Sequence, residues 1–117
     1  MITLVTGGAR SGKSKFAENL FKDKKDVVYI ATSRIADIEM QERIKLHQQS
    51  RPVEWRTYEK NYNLKKAIGK EKNYLLDCIT VLTSNIMFDI SKDEKYIDYN
   101  LQNKIESTII MEIKNLI

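Results

Sequence analysis

The chain has 117 residues, of which 42% are hydrophobic and 31% are charged, and its formal net charge is +4 at pH 7. This length and composition predict one soluble globular domain spanning residues 1–117. The single cysteine excludes a disulfide framework within the chain. No apolar run approaches the roughly 20 residues that span a bilayer, and the first residues lack a signal-peptide pattern. A cytoplasmic protein without a transmembrane segment is therefore expected. Because Lys and Glu are interleaved along most of the chain, its positive charge favours anionic small ligands and gives little support to nucleic-acid binding.

The first part of the chain contains two predicted strands with a helix between them. Ile2–Thr6 is a short β-prone run that ends at a pair of glycines, which predicts a buried strand. From Lys13 to about Lys22, apolar residues recur at helical spacing and predict an amphipathic helix. Val27–Ala31, with the sequence VVYIA, predicts a second buried strand.

The middle of the chain predicts a longer helix, a short strand and a short helix. Asp37 is a candidate N-cap for the longer helix. This helix should end before Pro52, because the residue that precedes a proline avoids helical geometry. Trp55–Tyr58 has the composition of a short strand, and Leu64–Ile68 has that of a short helix.

The last part of the chain predicts a third buried strand and two helices. The strand is Tyr74–Asp77, and the first helix is Ile79–Phe88. A polar connection, Asp89–Asp98, leads to a closing helix whose apolar positions run from Leu101 to Leu116. Strands that alternate with helices predict an α/β domain, in which a mostly parallel sheet holds the three buried strands and helices flank it.

A phosphate-binding loop is the most specific motif of the sequence. Gly7–Ser14, GGARSGKS, fits the pattern G-x-x-x-x-G-K-[ST] and falls between a predicted strand and a predicted helix. Its glycines allow successive backbone N–H groups to face phosphate oxygens, and the start of the helix adds a favourable dipole. Lys13 supplies a positive charge to the terminal phosphates, and the Ser14 hydroxyl can hold Mg²⁺. The sequence therefore predicts a P-loop NTPase-type nucleotide site.

A strand-end carboxylate is the second candidate feature of this site. Asp77 ends the buried run YLLD, which places it at the carboxyl edge of the predicted sheet, where ligands bind in folds of this class. It is therefore a candidate Mg²⁺ ligand beside Ser14, although capping of the following helix is an alternative role. The adjacent Cys78 is interpreted as a small buried side chain rather than a nucleophile.

A family resemblance narrows the choice among kinases, GTPases, motor ATPases and transferases, which all use such a loop. The chain contains VTGGARSGKS, VVYIATS, DIEMQERIKLHQQSRP, WRTYE and LLDCITVLTSNI, collinear from residue 1 to about Phe88. These segments closely resemble the bifunctional adenosylcobinamide kinase / adenosylcobinamide-phosphate guanylyltransferases of cobalamin biosynthesis. The resemblance implies phosphorylation of adenosylcobinamide, followed by GMP transfer from GTP to the phosphorylated corrinoid.

The resemblance also implies roles for particular residues. The family histidine that becomes covalently guanylylated falls on His47, the only histidine of the chain, and Lys13 is the second implied catalytic residue. The implied ligands are GTP, ATP and Mg²⁺, the last held by Ser14 and Asp77. The positions implied to contact nucleotide are Thr6, Gly7, Gly8, Ala9, Arg10, Ser11, Gly12, Lys13, Ser14, Ala31, Thr32, Ser33, Gln48, Gln49, Ser50, Arg51, Glu59 and Asp77.

Histidine is a chemically suitable nucleophile for this transfer. GMP transfer requires attack on the α-phosphorus of GTP and expulsion of pyrophosphate. Imidazole has an unperturbed pKa of about 6.5, so much of it is neutral near pH 7, and a covalent intermediate divides one difficult displacement into two. Lys13, Mg²⁺ and arginines such as Arg10, Arg34 or Arg51 would neutralise the departing pyrophosphate; a solvated surface position is the alternative for each arginine.

The resemblance weakens toward the end of the chain. Residues 89–117 match only loosely, relatives continue past this point, and no counterpart of a later Asn-Glu-Val-Gly segment is present. A shortened form of the family fold is therefore expected, with an unpaired sheet edge and exposed apolar faces on the last helix. Family members often assemble as trimers, so the resemblance implies a homo-oligomer.

Two other functions stay open at this point. One is a simple small-molecule kinase that shares the phosphate loop and makes no use of His47. The other is a nucleotide-binding remnant without catalytic activity, which a shortened fold would favour. A guanine nucleotide that stays on the protein after denaturation would separate the bifunctional enzyme from the simple kinase, and GTP binding without turnover would identify the remnant.

Overall fold

A three-stranded parallel sheet forms the centre of the fold. The computed structural model describes residues 1–8, 11–34, 38–92 and 96–117, except for the side chains of residues 38–40, 43, 47 and 50. The strands are β1 (Val27–Ala31), β2 (Arg56–Tyr58) and β3 (Asn73–Asp77), in the order β2-β1-β3. Both pairings are parallel, as predicted for strands separated by helices.

Four α-helices and one short 3₁₀ helix accompany the sheet. They are α1 (Lys13–Asn19), α2 (Ile38–Ser50), the 3₁₀ helix Leu64–Ala67, α3 (Ile79–Ser91) and α4 (Tyr99–Leu116). Each predicted helix is confirmed, with ends that differ by a few residues. One of these differences falls in the predicted connection 89–98, since α3 continues to Ser91. Asp98, the last residue of that connection, caps α4 by accepting a hydrogen bond from the Leu101 N–H at 2.8 Å. The predicted N-cap Asp37 lies outside the described residues.

The central strand β1 is buried on both faces. Val27, Val28, Tyr29 and Ile30 are at most 3% exposed, which explains why this strand is continuously apolar rather than alternating. Val28 and Ile30 pack against the 3₁₀ helix, α3 and α4, whereas Val27 and Tyr29 pack with Trp55 and against α1. The sheet is therefore covered on both faces.

Polar contacts within these two layers fix the loops that connect the strands. Glu112 of α4 is only 4% exposed, and its carboxylate accepts a hydrogen bond from the backbone N–H of Leu64 at 3.1 Å. On the opposite face, the Trp55 indole N–H donates to the carbonyl of Lys24 at 2.7 Å. Both contacts give a buried polar group a partner, which avoids the cost of burying it unpaired.

The first predicted strand is absent from the structure, so this part of the prediction was wrong. Ile2–Thr6 forms no strand, and the side chains of Ile2 and Leu4 are each 73% exposed. Both edges of β1 are taken by β2 and β3, and residues 2–6 pair with neither of these outer strands. Without ladder hydrogen bonds or packing partners, an apolar β-prone composition does not suffice to form a strand.

The expected apolar exposure on the closing helix is present. Ile110 is 43% exposed and Met111 is 54% exposed, while Ile105, Ile109 and Ile113 face the core. Among the described residues, no helix combines the length and apolar character that crossing a membrane requires.

Candidate functional site

A cavity of about 490 Å³ opens at the carboxyl edge of the sheet. Ala31 ends β1, Glu59 follows β2 and Asp77 ends β3, so the three strands deliver these residues to one edge. The phosphate loop approaches through Ser14, and α2 forms another wall. The lining residues are Ser14, Tyr29, Ala31, Ser33, Gln41, Ile44, Lys45, Gln48, Arg51, Glu59 and Asp77.

The phosphate loop curls into α1 through glycines. Gly12 has φ +83°, a left-handed conformation that glycine adopts without a steric penalty. A Cβ on Gly7 would lie 2.5 Å from the Ser11 hydroxyl oxygen, so a larger residue there would require the exposed Ser11 side chain to turn away. The Lys13 ammonium does not line the cavity; it reaches back across the loop and donates to the carbonyl of Gly8 at 3.2 Å.

Asp77 meets a buried tyrosine on the floor of the cavity. The Tyr29 hydroxyl donates a hydrogen bond to the Asp77 Oδ2. Burial raises the pKa of the Tyr29 phenol far above its ordinary value, and the hydrogen bond to Asp77 and the negative charge of Asp77 raise it further. Tyr29 is therefore a neutral hydrogen-bond donor to this carboxylate.

One face of α2 forms a wall of the cavity. Gln41, Ile44, Lys45 and Gln48 recur at helical spacing and all line the cavity. Two contacts hold the end of this wall to the sheet. The Gln48 amide donates to the Glu59 carboxylate at 2.9 Å, and the Arg51 guanidinium carbon lies 3.8 Å from the centre of the Tyr29 ring.

Thr32 has a supporting position beneath the site. Its side chain is fully buried, and its hydroxyl oxygen lies 2.9 Å from both the N–H and the carbonyl oxygen of Cys78. Amide groups of Asn61 and Asn85 donate to the Thr32 carbonyl at 3.1 and 2.9 Å. Thr32 thus joins the ends of β1 and β3 to α3 and does not line the cavity.

Arg34, a candidate for pyrophosphate contact, is engaged elsewhere. Its guanidinium forms a two-pronged ion pair with Asp89 of α3 at 2.8 and 2.6 Å, and the Tyr62 hydroxyl also donates to Asp89 at 2.9 Å. The hydrogen bond from Arg34 holds the pKa of the Asp89 carboxyl below its ordinary value. In the structure, Arg34 therefore connects the segment after β1 to α3.

The structure places the remaining predicted site residues as follows. His47 lies in α2, directly before Gln48, but its side chain and that of Ser50 are outside the described part of the chain, as are Ala9 and Arg10. Gln49 is exposed on α2, and Thr6, Gly7, Gly8, Ser11 and Gly12 are exposed in or beside the phosphate loop. The predicted residues that line the cavity are Ser14, Ala31, Ser33, Gln48, Arg51, Glu59 and Asp77.

The donor set of the cavity is compatible with Mg²⁺ bound to a nucleotide. No group of three or more His, Cys, Asp or Glu in the described residues could hold a metal ion by itself. Mg²⁺ is commonly bound through one or two protein oxygens together with substrate phosphates and waters. The Ser14 hydroxyl and the Asp77 carboxylate are such oxygens, and both line the cavity.

Sequence reasoning missed four lining residues. Gln41, Ile44 and Lys45 lie in the segment DIEMQERIKLHQQSRP but were not among the implied nucleotide contacts, and only their helical register with Gln48 marks them as members of one face. Tyr29 belongs to an apolar strand and was predicted only as a core residue. Its one distinguishing signal was a hydroxyl group in an otherwise apolar run, since such a group needs a partner when it is buried.

Comparison with known protein families shows which family the chain belongs to. Residues 3–116 match the family model described as cobinamide kinase / cobinamide phosphate guanyltransferase. The chain belongs to this family. Its parallel sheet with flanking helices is consistent with the P-loop NTPase-like fold of the family, and the family assignment agrees with the resemblance carried by the sequence motifs.

Three curated relatives give the extent of the similarity. The chain is 45% identical to the bifunctional adenosylcobalamin biosynthesis protein CobU of Escherichia coli (strain K12) over 121 aligned residues, covering 100% of the chain and 66% of that protein. Identity to the Salmonella typhimurium CobU is 45%, covering 85% of the chain and 58% of the relative. Identity to CobP of Pseudomonas aeruginosa is 40%, covering 74% and 53%. The chain thus spans between half and two-thirds of the length of these relatives.

Proposed function

We propose that this protein phosphorylates adenosylcobinamide with ATP or GTP and then transfers GMP from GTP to adenosylcobinamide phosphate. The observation that carries the proposal is the cavity at the carboxyl edge of the sheet. It gathers residues from the phosphate loop, all three strand ends and α2, and most of its polar residues are those that the family resemblance implies for nucleotide binding. A sheet edge beside a phosphate loop suits a nucleotide and its phosphates.

In the proposed kinase reaction, the loop and the strand ends position the transferred phosphate. Backbone N–H groups of the glycine-rich loop face the phosphates, and Lys13 exchanges its contact with the Gly8 carbonyl for the terminal phosphate oxygens. Ser14 and Asp77 would hold Mg²⁺, which supplies positive charge to the phosphates when it is bound. Arg51, placed over the Tyr29 ring at the cavity wall, adds a fixed positive charge.

In the proposed transfer reaction, His47 is the nucleophile. A neutral imidazole nitrogen attacks the α-phosphorus of GTP, a P–N bond forms, and the bond to the departing pyrophosphate breaks. A phosphate oxygen of adenosylcobinamide phosphate then attacks the same phosphorus, so that the P–N bond breaks and the imidazole is regenerated. His47 lies in α2, whose neighbouring residues Gln48 and Lys45 line the cavity.

The acceptor substrate, the cellular compartment and the oligomeric state complete the proposal. The corrinoid acceptor is proposed from the family description and from the printed function of the relatives. Action in the cytoplasm and assembly into a homo-oligomer, with the trimer as the expected form, stay predictions from the sequence.

Lys13→Ala tests the nucleotide site, with Lys15→Ala as its matched control. Lys15 is an exposed residue of the same helix and lies outside the cavity lining. Removal of Lys13 takes a charged group from the phosphates, so the affinity for GTP with Mg²⁺ should fall about 10-fold or more, whereas Lys15→Ala should leave it nearly unchanged. Isothermal titration calorimetry measures both affinities, and unchanged GTP binding by a folded Lys13→Ala variant would remove Lys13 from the site.

A further inference from the structure

Tyr29 occupies a position between two charged groups of the cavity. It lies in the middle of β1 and is 3% exposed, so its side chain is held within the sheet layer rather than in solvent. Its ring packs in the same apolar cluster as Trp55 and Leu75, and it also lines the cavity. Because Tyr29 packs in the core and also lines the cavity, the core fixes the position of its hydroxyl and ring within the site.

The first contact of Tyr29 reaches the end of the neighbouring strand. Tyr29 pairs with Leu75 in the parallel register, so Asp77 lies two residues further along β3 and on the same face of the sheet. The Tyr29 hydroxyl donates to Oδ2 of Asp77. No hydrogen bond from the described residues reaches the second oxygen, Oδ1, which leaves it for a ligand.

The second contact of Tyr29 uses its aromatic face. The Arg51 guanidinium carbon lies 3.8 Å above the ring centre, and Arg51 directly follows α2. A guanidinium over an aromatic face is stabilised by the ring quadrupole. One buried side chain therefore contacts an anion from β3 through its hydroxyl and a cation from the end of α2 through its ring.

We propose that Tyr29 is a positioning residue of the nucleotide site, which orients the Asp77 carboxylate toward the metal-bound phosphates and places Arg51 beside them. This inference rests on the proposed nucleotide binding at the cavity and assigns to it a residue that is absent from both the phosphate-loop pattern and the implied nucleotide contacts. The hydroxyl and the ring have separate tasks. Loss of the hydroxyl affects the part of nucleotide binding that depends on Mg²⁺, whereas loss of the ring also affects the part that does not.

The central experiment measures GTP affinity by calorimetry in excess Mg²⁺ and in excess EDTA, for the wild-type chain and for Tyr29→Phe. Phe keeps the ring that Arg51 covers and removes only the bond to Asp77. We expect the affinity in Mg²⁺ to fall about 3- to 10-fold, the size of one lost hydrogen bond, with the affinity in EDTA unchanged. An equal loss in both conditions would indicate a purely structural role and overturn the proposal.

Two further variants make the comparison specific. Tyr74→Phe is the matched control, because the Tyr74 hydroxyl also has a partner, the backbone of Gly69, and packs on the opposite face of the sheet; its ratio of the two affinities should equal that of wild type. In an Asp77→Asn background, Tyr29→Phe should cause less than a 2-fold further loss, because its partner for metal binding is already gone. A full, independent loss in that background would contradict the inference.

The results also separate this inference from the proposed function. If the wild-type chain binds GTP and gains affinity from Mg²⁺, but Tyr29→Phe retains the whole gain, only the role of Tyr29 is refuted. If the wild-type chain binds GTP in neither condition, the proposed function fails, and the positioning role fails with it. A Tyr29→Phe variant that no longer unfolds cooperatively in urea would show that Tyr29 is a structural residue and would also refute the proposal.

Discussion

At the scale of single residues, Thr32 shows how a motif residue can act from below a site. The sequence placed it among the nucleotide-contacting positions, and the structure buries it completely between two strand ends. Its hydroxyl contacts the backbone of Asp77 and Cys78. Thr32 therefore helps to position the Asp77 carboxylate, although Thr32 itself does not line the cavity. The contribution of Thr32 to nucleotide binding is therefore expected to be indirect.

Thr32→Val tests this supporting role. Val has nearly the same shape as Thr but leaves the Cys78 N–H without its hydroxyl partner in a buried position. The free energy of unfolding should fall by about 1–3 kcal/mol, the cost of a buried unsatisfied polar group. Urea denaturation at neutral pH measures this change, and Thr57→Val, at an exposed position of β2, is the control that should stay within about 0.5 kcal/mol. Equal stability of the Thr32→Val and wild-type chains would contradict the role.

The sequence predicted the site residues that a local pattern locates and missed a site residue whose contacts are distant in the chain. Ser14 and Asp77 were predicted because a loop pattern and a strand end locate them, and both line the cavity. Tyr29 was missed because its task depends on Asp77 and Arg51, which are 48 and 22 positions away in the chain and meet it only after folding. Local pattern carries no information on such pairings until the strand register is known.

At the scale of elements, the cavity depends on links between segments that leave the sheet. Arg34 follows β1, Tyr62 follows β2, and both contact Asp89 of α3. Since Arg34 and Asp89 side chains are 47% and 36% exposed, solvent screens much of their attraction. The link therefore contributes modest stability but holds two loops at the carboxyl edge against one helix.

Asp89→Asn should reveal this link through its dependence on pH. The pKa of Asp89 is lower in the folded chain than in the unfolded one, so the ionised carboxylate stabilises the fold at and above the unfolded pKa, near 4, and this stabilisation is lost as pH falls below it. The variant should lose up to about 1 kcal/mol of unfolding free energy at pH 7, with a smaller loss at pH 3. Urea denaturation at the two pH values measures the difference, and a loss that grows on acidification would contradict the ion pair.

The first segment of the chain marks the limit of element prediction. Ile2–Thr6 has the apolar and β-branched composition of a strand, and Val27–Ala31 has a similar one, but only the latter is a strand. The difference is tertiary, because β1 has paired neighbours on both sides and helices over both faces. The composition of a segment shows that it is able to form a strand, whereas pairing with neighbouring strands and burial against helices stabilise the strand.

At the scale of the whole molecule, the described fold brings together residues that are proposed to bind the nucleotide. The sheet edge, the phosphate loop and one face of α2 all contribute residues to the same open cavity, and the family model matches residues 3–116. The outer face of α4, with exposed Ile110 and Met111, lies on the layer that also contains α3, away from the α1 side.

The proposed transfer of GMP to His47 can be followed directly by labelling. The protein is incubated with Mg²⁺ and GTP labelled at the α-phosphate, denatured, and separated from free nucleotide. Label should stay on the wild-type chain, survive alkali and be released by mild acid, because a P–N bond is acid-labile whereas a phosphate ester of Ser or Thr is not.

The decisive comparison is between His47→Asn and the wild-type chain in this labelling measurement. We expect that His47→Asn takes up no label and transfers no GMP, but still binds GTP and retains the kinase reaction, which needs no covalent intermediate on the protein. Glu42→Ala, an exposed change in the same helix outside the cavity lining, is the control and should label as wild type does. Acid-labile label that persists on His47→Asn would place the covalent chemistry on another residue and contradict the account.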